Sequence, residues 1–283
     1  MLAITLALGS SILWGLADFL GGLKSRSFPV PVVLAVMYVA SLVAMTIFVG
    51  VRGEGPPDAR AVAAGLGAGI CGIVALAAFY RALAIGTMSI VAPVASTGVG
   101  LPVLVGLATG DQPGLLRSLG LAAAIVGVVL ASREDGAATT DPKLQRQSVL
   151  LAIVAGLGFG LYFVLAEISS RGDVGWALLL SRVAATPFIV AFALLALRRG
   201  GRALRGRELA IVAAIGMCDL AANVLYNQSS TIGELSTVAV ASSLYPVTTV
   251  LLAAALLGER VRGLQRTGVV IALCGVVLIA AGA

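Results

Sequence analysis

Histidine is absent from the 283 residues. That removes the commonest metal ligand and the commonest general base. Charge is scarce: 11% of residues are Asp, Glu, Lys or Arg, against about 25% in soluble globular proteins. The three cysteines, Cys71, Cys218 and Cys274, lie inside apolar runs and form no CxxC pair. A thiol so placed behaves as a small hydrophobe, and no disulfide framework is implied. There is no GxxxxGK[ST] sequence, so no ATP-binding loop of that kind is expected. Neither paired carboxylates at a helix end nor a nucleophile motif is present, so no catalytic residue, cofactor or metal is expected. Aromatic residues make up 5% of the chain, which neither favours nor opposes an aromatic ligand.

What the sequence does hold is apolar length. Hydrophobic residues are 59% of the chain, and the mean hydropathy is +1.07. A soluble fold has no means of covering so much apolar surface. Crossing a bilayer takes about 20 mostly apolar residues per helix. Ten such runs fit, which leaves short loops and no room for a soluble domain. Net charge is +6. The basic residues sit between the apolar runs, as membrane orientation requires, and nucleic acid is not an expected partner. The first run begins at Leu2 without a basic leader, so it reads as a permanent helix rather than a cleaved signal.

The apolar periodicity predicts helices at about 2–23, 31–51, 61–83, 89–108 and 116–132, then 148–169, 175–197, 209–229, 236–257 and 267–283. Residues 134–147 read as a polar linker. They divide the chain into a first half, 1–133, and a second, 148–283.

The halves repeat. Gly120, Ala124, Gly127, Val128, Val129 and Leu130 match Gly268, Ala272, Gly275, Val276, Val277 and Leu278 at an offset of 148. Gly110-Asp111 stands where Gly258-Glu259 stands in the second copy. A short turn, Ser, Val, small residues and Ser recur from Ser89 to Ser96 and from Ser236 to Ser243. Trp14-Gly15 falls opposite Phe159-Gly160, at an offset of about 145. Five helices per half is an odd number, so the second half enters the membrane from the opposite side. The expected fold is therefore an all-α membrane protein of about ten transmembrane helices in two inverted five-helix repeats. Secondary transporters recurrently use that plan, with the substrate site between the repeats.

These residues resemble the EamA domain of the drug/metabolite transporter superfamily. The likeness rests on Trp14-Gly15, Tyr80-Arg81-Ala82-Leu83, Ser89-Ile90-Val91-Ala92-Pro93 and Ser243-Leu244-Tyr245-Pro246. It rests most on Leu257-Gly258-Glu259-Arg260 followed by Gly268 and Gly275-Val276-Val277. It covers almost the whole chain as two tandem repeats. In the first half Gly110-Asp111-Gln112-Pro113 replaces the usual Gly-Glu-Arg-like turn. The resemblance implies export or exchange of small metabolites, amino acids among them, across the plasma (inner) membrane.

Intramembrane polar residues need a reason, since a charge at the bilayer centre costs about 2.5–3.5 kcal/mol on insertion scales. In the eighth predicted helix Asp219, Asn223, Tyr226, Asn227 and Ser230 share one face. That face meets either other helices or a wet cavity. In the first helix Ser11, Trp14 and Asp18 share a face. Asp18 either exchanges protons or meets a cationic group, or else pairs with Lys24 or Arg26 near the helix end. Tyr80, Ser96, Tyr162 and Tyr245 complete the candidate lining, drawn from helices 1, 3, 4, 6, 8 and 9. Glu167 and Arg182 are expected to pair across the turn between helices 6 and 7, as a structural contact. Asp111 and Glu259 are expected to serve their turns. Pro93, Pro102, Pro187 and Pro246 are expected to kink their helices.

Thirteen Lys and Arg residues fall in odd-numbered loops and four in even-numbered ones. The positive-inside rule then puts both termini outside, whereas the resemblance puts them in the cytoplasm. The expected function is secondary transport of a small organic metabolite by alternating access. Alternatives are a proton-coupled efflux pump for cations or drug-like molecules and a structural or lipid-handling subunit. The bilayer and a small-molecule substrate are the expected partners, with a proton as candidate coupling ion.

Overall fold

The computed structural model describes residues 1–86, 88–131, 142–257 and 263–281. Among these the chain is all-helical. The first half holds α1 (Leu2–Ser25), α2 (Val30–Arg52), α3 (Ala59–Ile85), α4 (Met88–Ser96), α5 (Gly100–Thr109) and α6 (Leu115–Ala131). The second holds α7 (Pro142–Ser170), α8 (Val174–Arg198), α9 (Arg207–Ile232), α10 (Leu235–Ser242), α11 (Tyr245–Leu257) and α12 (Gly263–Ala281).

Local chemistry sets the ends. Asp58 caps α3 by accepting from the Ala61 amide at 2.9 Å, and Asp173 caps α8 by accepting from Trp176 at 2.7 Å. Gly53 and Gly110 close α2 and α5 in the left-handed region, at φ 66° and 113°. Helix α7 begins at Pro142, within the stretch read as linker; residues 132–141 lie outside the described part of the chain.

Two predicted helices are each broken in two. A 3-10 turn at Thr97–Val99 separates α4 from α5, and residues 243–244 separate α10 from α11. Pro102 and Pro246 therefore sit in the first turns of α5 and α11 rather than kinking a helix interior. There the missing N–H has no intrahelical partner to lose. Pro187 does lie inside a continuous helix, α8.

The bundle is apolar outside and polar inside. Phe48, Phe188, Phe192, Leu104 and Leu157 are all more than half exposed, while Asp18, Arg182, Asp219, Asn223 and Asn227 are buried. A soluble protein reverses that order. Seven helical stretches among the described residues are long and apolar enough to cross a membrane. The protein is thus a multi-pass membrane protein.

Packing repeats with the halves exchanged. Helix α3 lies on α7 as α9 lies on α1, while α2 packs on its counterpart α8 and α6 on α12. Helix α1 meets α10 and α11 as α7 meets α4 and α5. Glycine makes the closest approaches. A Cβ at Gly69 in α3 would fall 2.2 Å from the Ser181 carbonyl oxygen in α8, and one at Gly216 in α9 2.7 Å from that of Met37 in α2. Likewise Gly15 lies against Tyr245 and Thr248, and Gly160 against Gly98 and Leu101. These are equivalent contacts in the two halves, and they set helix spacing by backbone approach.

Candidate functional site

Where α1, α2, α3, α7, α8, α9 and α11 converge, they line a half-open cavity of about 50 Å³. That is room for a few water molecules. Ten of its twelve described lining residues fall into equivalent positions of the two halves: Trp14 with Phe159, Asp18 with Phe163, Tyr38 with Arg182, Gly72 with Asp219, and Leu76 with Asn223. In the last four pairs one member is charged or an amide and the other is not. The carboxylates, guanidinium and amide come from α1, α8 and α9; their counterparts come from α7, α2 and α3.

Arg182 donates to Asp219 at 2.9 Å, and both side chains are buried. The guanidinium also lies over the Tyr38 ring, 4.6 Å from its centroid. One turn along α9, the Asn223 amide accepts from the Tyr162 hydroxyl and donates back to the Asp219 carbonyl at 2.7 Å. Asn227 repeats the pattern, donating to the Asn223 carbonyl at 2.7 Å and accepting from Ser170. The polar face of α9 thus meets α7 and α8 along its length and opens on the cavity at Asp219 and Asn223.

Aromatic side chains form the facing wall. Trp14 packs on Phe163 at 5.7 Å and on Tyr226 at 5.6 Å, in tilted pairs of the favoured kind. The equivalent pair, Phe159 on Phe79, is 5.7 Å apart. Tyr226 donates to the Phe163 carbonyl at 3.0 Å, and Tyr80 to the Ala17 carbonyl at 3.3 Å.

Of the residues singled out in the sequence, Trp14, Asp18, Tyr162, Asp219, Asn223 and Tyr245 line the cavity. Tyr80, Tyr226 and Asn227 are buried beside it as packing and hydrogen-bonding groups. Ser96 lies elsewhere, in a small cleft with Ser243. The expected Glu167–Arg182 pair does not form. Glu167 pairs with Arg171, one helical turn away, and Arg182 turns inward to Asp219. Asp18 pairs with neither Lys24 nor Arg26; Lys24 instead meets Glu208 at the foot of α9. Asp111 accepts from the Ser236 amide at 2.8 Å and so caps α10 of the other half. Glu259 lies outside the described residues.

Sequence reasoning missed Tyr38, Gly72, Leu76, Phe159 and Phe163 as cavity residues. None is polar enough to stand out in an apolar helix except Tyr38. Projecting Asp219, Asn223 and Arg182 through the repeat would have found Gly72, Leu76 and Tyr38. Among the described residues no cluster of His, Cys, Asp and Glu is arranged to hold a metal.

A multi-pass helical membrane protein with buried charges lining a cavity between two repeated halves is the class that this fold and site define. Residues 1–133 and 146–281 each match the EamA-like transporter family. The chain belongs to that family, as two tandem EamA repeats. No curated protein matches it. A solved structure titled only "Crystal structure of protein" is similar, with 17% identity and a TM-score of 0.73 over 99% of each chain. At that identity the likeness concerns the fold.

Proposed function

We propose that the chain is a secondary transporter that moves a small organic metabolite by alternating access through the central cavity. Ten spans are counted by joining α4 to α5 and α10 to α11 and adding α6 and α12. Five spans per half invert the second repeat against the first, in keeping with the exchanged packing partners. The observation that carries the reading is the position of Asp18, Arg182 and Asp219. All three are buried on one cavity between the halves. Charges inside a membrane are expensive and mark pathways for substrates and ions.

Residues from both repeats line the cavity, so rocking one half against the other would open it to either side in turn. The chemistry of the cavity suits binding rather than bond-making. Arg182 and Asp219 are held by their ion pair and by the Tyr38 ring, and among the described residues no activated nucleophile adjoins the charged groups.

A thermal-shift screen of the detergent-purified protein against amino acids, nucleosides, sugars and organic cations tests the reading. A ligand that binds the folded state raises its melting temperature by mass action. The expected result is a class-selective shift that Asp219→Asn abolishes, with counterflow of the same compound in proteoliposomes. Absence of any hit together with absence of counterflow would oppose transport and favour a structural or lipid-handling role.

A further inference from the structure

We infer that the cavity takes a monocation: a protonated amine on an apolar body, with its charge held by Asp18. This rests on the transporter reading above and narrows its substrate class.

Three charged groups line the cavity: Asp18, Arg182 and Asp219. Arg182 and Asp219 neutralise each other at 2.9 Å. Asp18 is 6% exposed, and among the described residues its carboxylate has neither an ion pair nor a hydrogen bond. The titratable groups facing it are Asp219 and Cys218 from α9, Tyr80 from α3 and Tyr245 from α11. None of these is a cation, and Arg182, from α8, is committed to Asp219.

When Asp18 is ionised the cavity therefore carries one uncompensated negative charge in a medium that tolerates none. A ligand with one positive charge completes it. A zwitterion does not, because its carboxylate would need a second cation and the one present is already paired.

Two further groups in the lining lack partners among the described residues. They are the Nε of Arg182 and the hydroxyl of Tyr245. Both can donate to an uncharged acceptor such as a hydroxyl, ether or carbonyl oxygen on the ligand. The rest of the wall, Trp14, Leu76, Phe159 and Phe163, offers aromatic and aliphatic faces. These suit an apolar body, and ring faces also favour an adjacent cation.

The test compares monocationic amines of graded apolar size, 2-phenylethylamine among them. Each is set beside the alcohol of the same shape and the amino acid with the same side chain. Thermal shifts of the purified full chain give apparent affinities. The expected order places at least one amine about tenfold or more above both its alcohol and its amino acid. Asp18→Asn should remove that advantage and Asp18→Glu should retain it. If Asp18→Asn does not fold, the ligand order on the unsubstituted protein decides. An alcohol or amino acid that matches its amine, an amine advantage that survives in Asp18→Asn, or no shift with any amine would overturn the inference. A sugar or nucleoside hit with counterflow in that case would leave the transporter reading standing. Failure of every class in both assays would remove the transporter reading as well.

Discussion

Arg182 and Tyr38 occupy equivalent positions in the two repeats and stack on one another, 4.6 Å from guanidinium carbon to ring centroid. The repeat axis thus passes between a cation and an aromatic ring. Duplicated helices have kept their packing there and exchanged their chemistry.

A desolvated cation–π contact of this kind is worth about 2 kcal/mol. Tyr38→Phe keeps the ring and should leave the melting temperature close to that of the native protein. Tyr38→Ala removes the ring and opens a void beside the charge, and should lower it clearly. Melting curves of the two variants in one detergent check the difference.

The Arg182–Asp219 pair should behave as a buried salt bridge. Removing one partner strands the other charge, which costs about 3–5 kcal/mol. Arg182→Met and Asp219→Leu should each be strongly destabilised. The double variant should recover much of the loss, because no uncompensated charge remains at that position. A double variant as unstable as the sum of the singles would show that the pair is not coupled.

Glycines at the two equivalent crossings should be intolerant and others indifferent. A methyl at Gly69 or Gly216 meets backbone of the neighbouring helix, whereas one at Gly50 meets nothing within 4 Å. Gly69→Ala and Gly216→Ala should each cost about 1–3 kcal/mol through overpacking. Gly50→Ala should be neutral or slightly stabilising. Thermal denaturation of the three variants side by side is the measurement.

At the loop before α8, Asp173 should make stability sensitive to acid. Its partial burial raises the carboxyl pKa, but hydrogen bonds from Arg52 and the Trp176 amide, with the charge of Arg52, outweigh this and hold it below the usual value. A carboxyl whose pKa is lowered by folding contributes stability above its unfolded pKa, and that contribution is lost as pH falls through the folded value. Asp173→Asn should therefore lower the melting temperature at neutral pH and reduce its fall on acidification below pH about 4. The change should be modest, since exposed ion pairs contribute about 0.2–1 kcal/mol.

Much of this was legible in the sequence for identifiable reasons. Long apolar runs fixed the helices, and matching glycines exposed the repeat. The spacing of Asp219, Asn223 and Asn227 placed them on one face before any coordinates did. The helix breaks at Thr97–Val99 and at residues 243–244 were not legible, because Pro102 and Pro246 read as kinks. Only tertiary packing shows that they start new helices. The partner of Arg182 was misread for a related reason. Proximity along the chain favoured Glu167, but a side chain chooses its partner across helix faces, and Arg182 points away from that turn. Tyr38, Gly72 and Leu76 carry no signal of their own. Their role comes from standing opposite charged residues of the other half.

Alternating access requires that the cavity between the halves open to both sides of the membrane. A cysteine at Leu76, in a chain with Cys71, Cys218 and Cys274 replaced by alanine, tests it most directly. Right-side-out and inverted vesicles are treated with a membrane-impermeant thiol reagent. Alternating access predicts labelling from both sides, reduced from both by a bound ligand. Labelling from one side alone, or from neither, would contradict it.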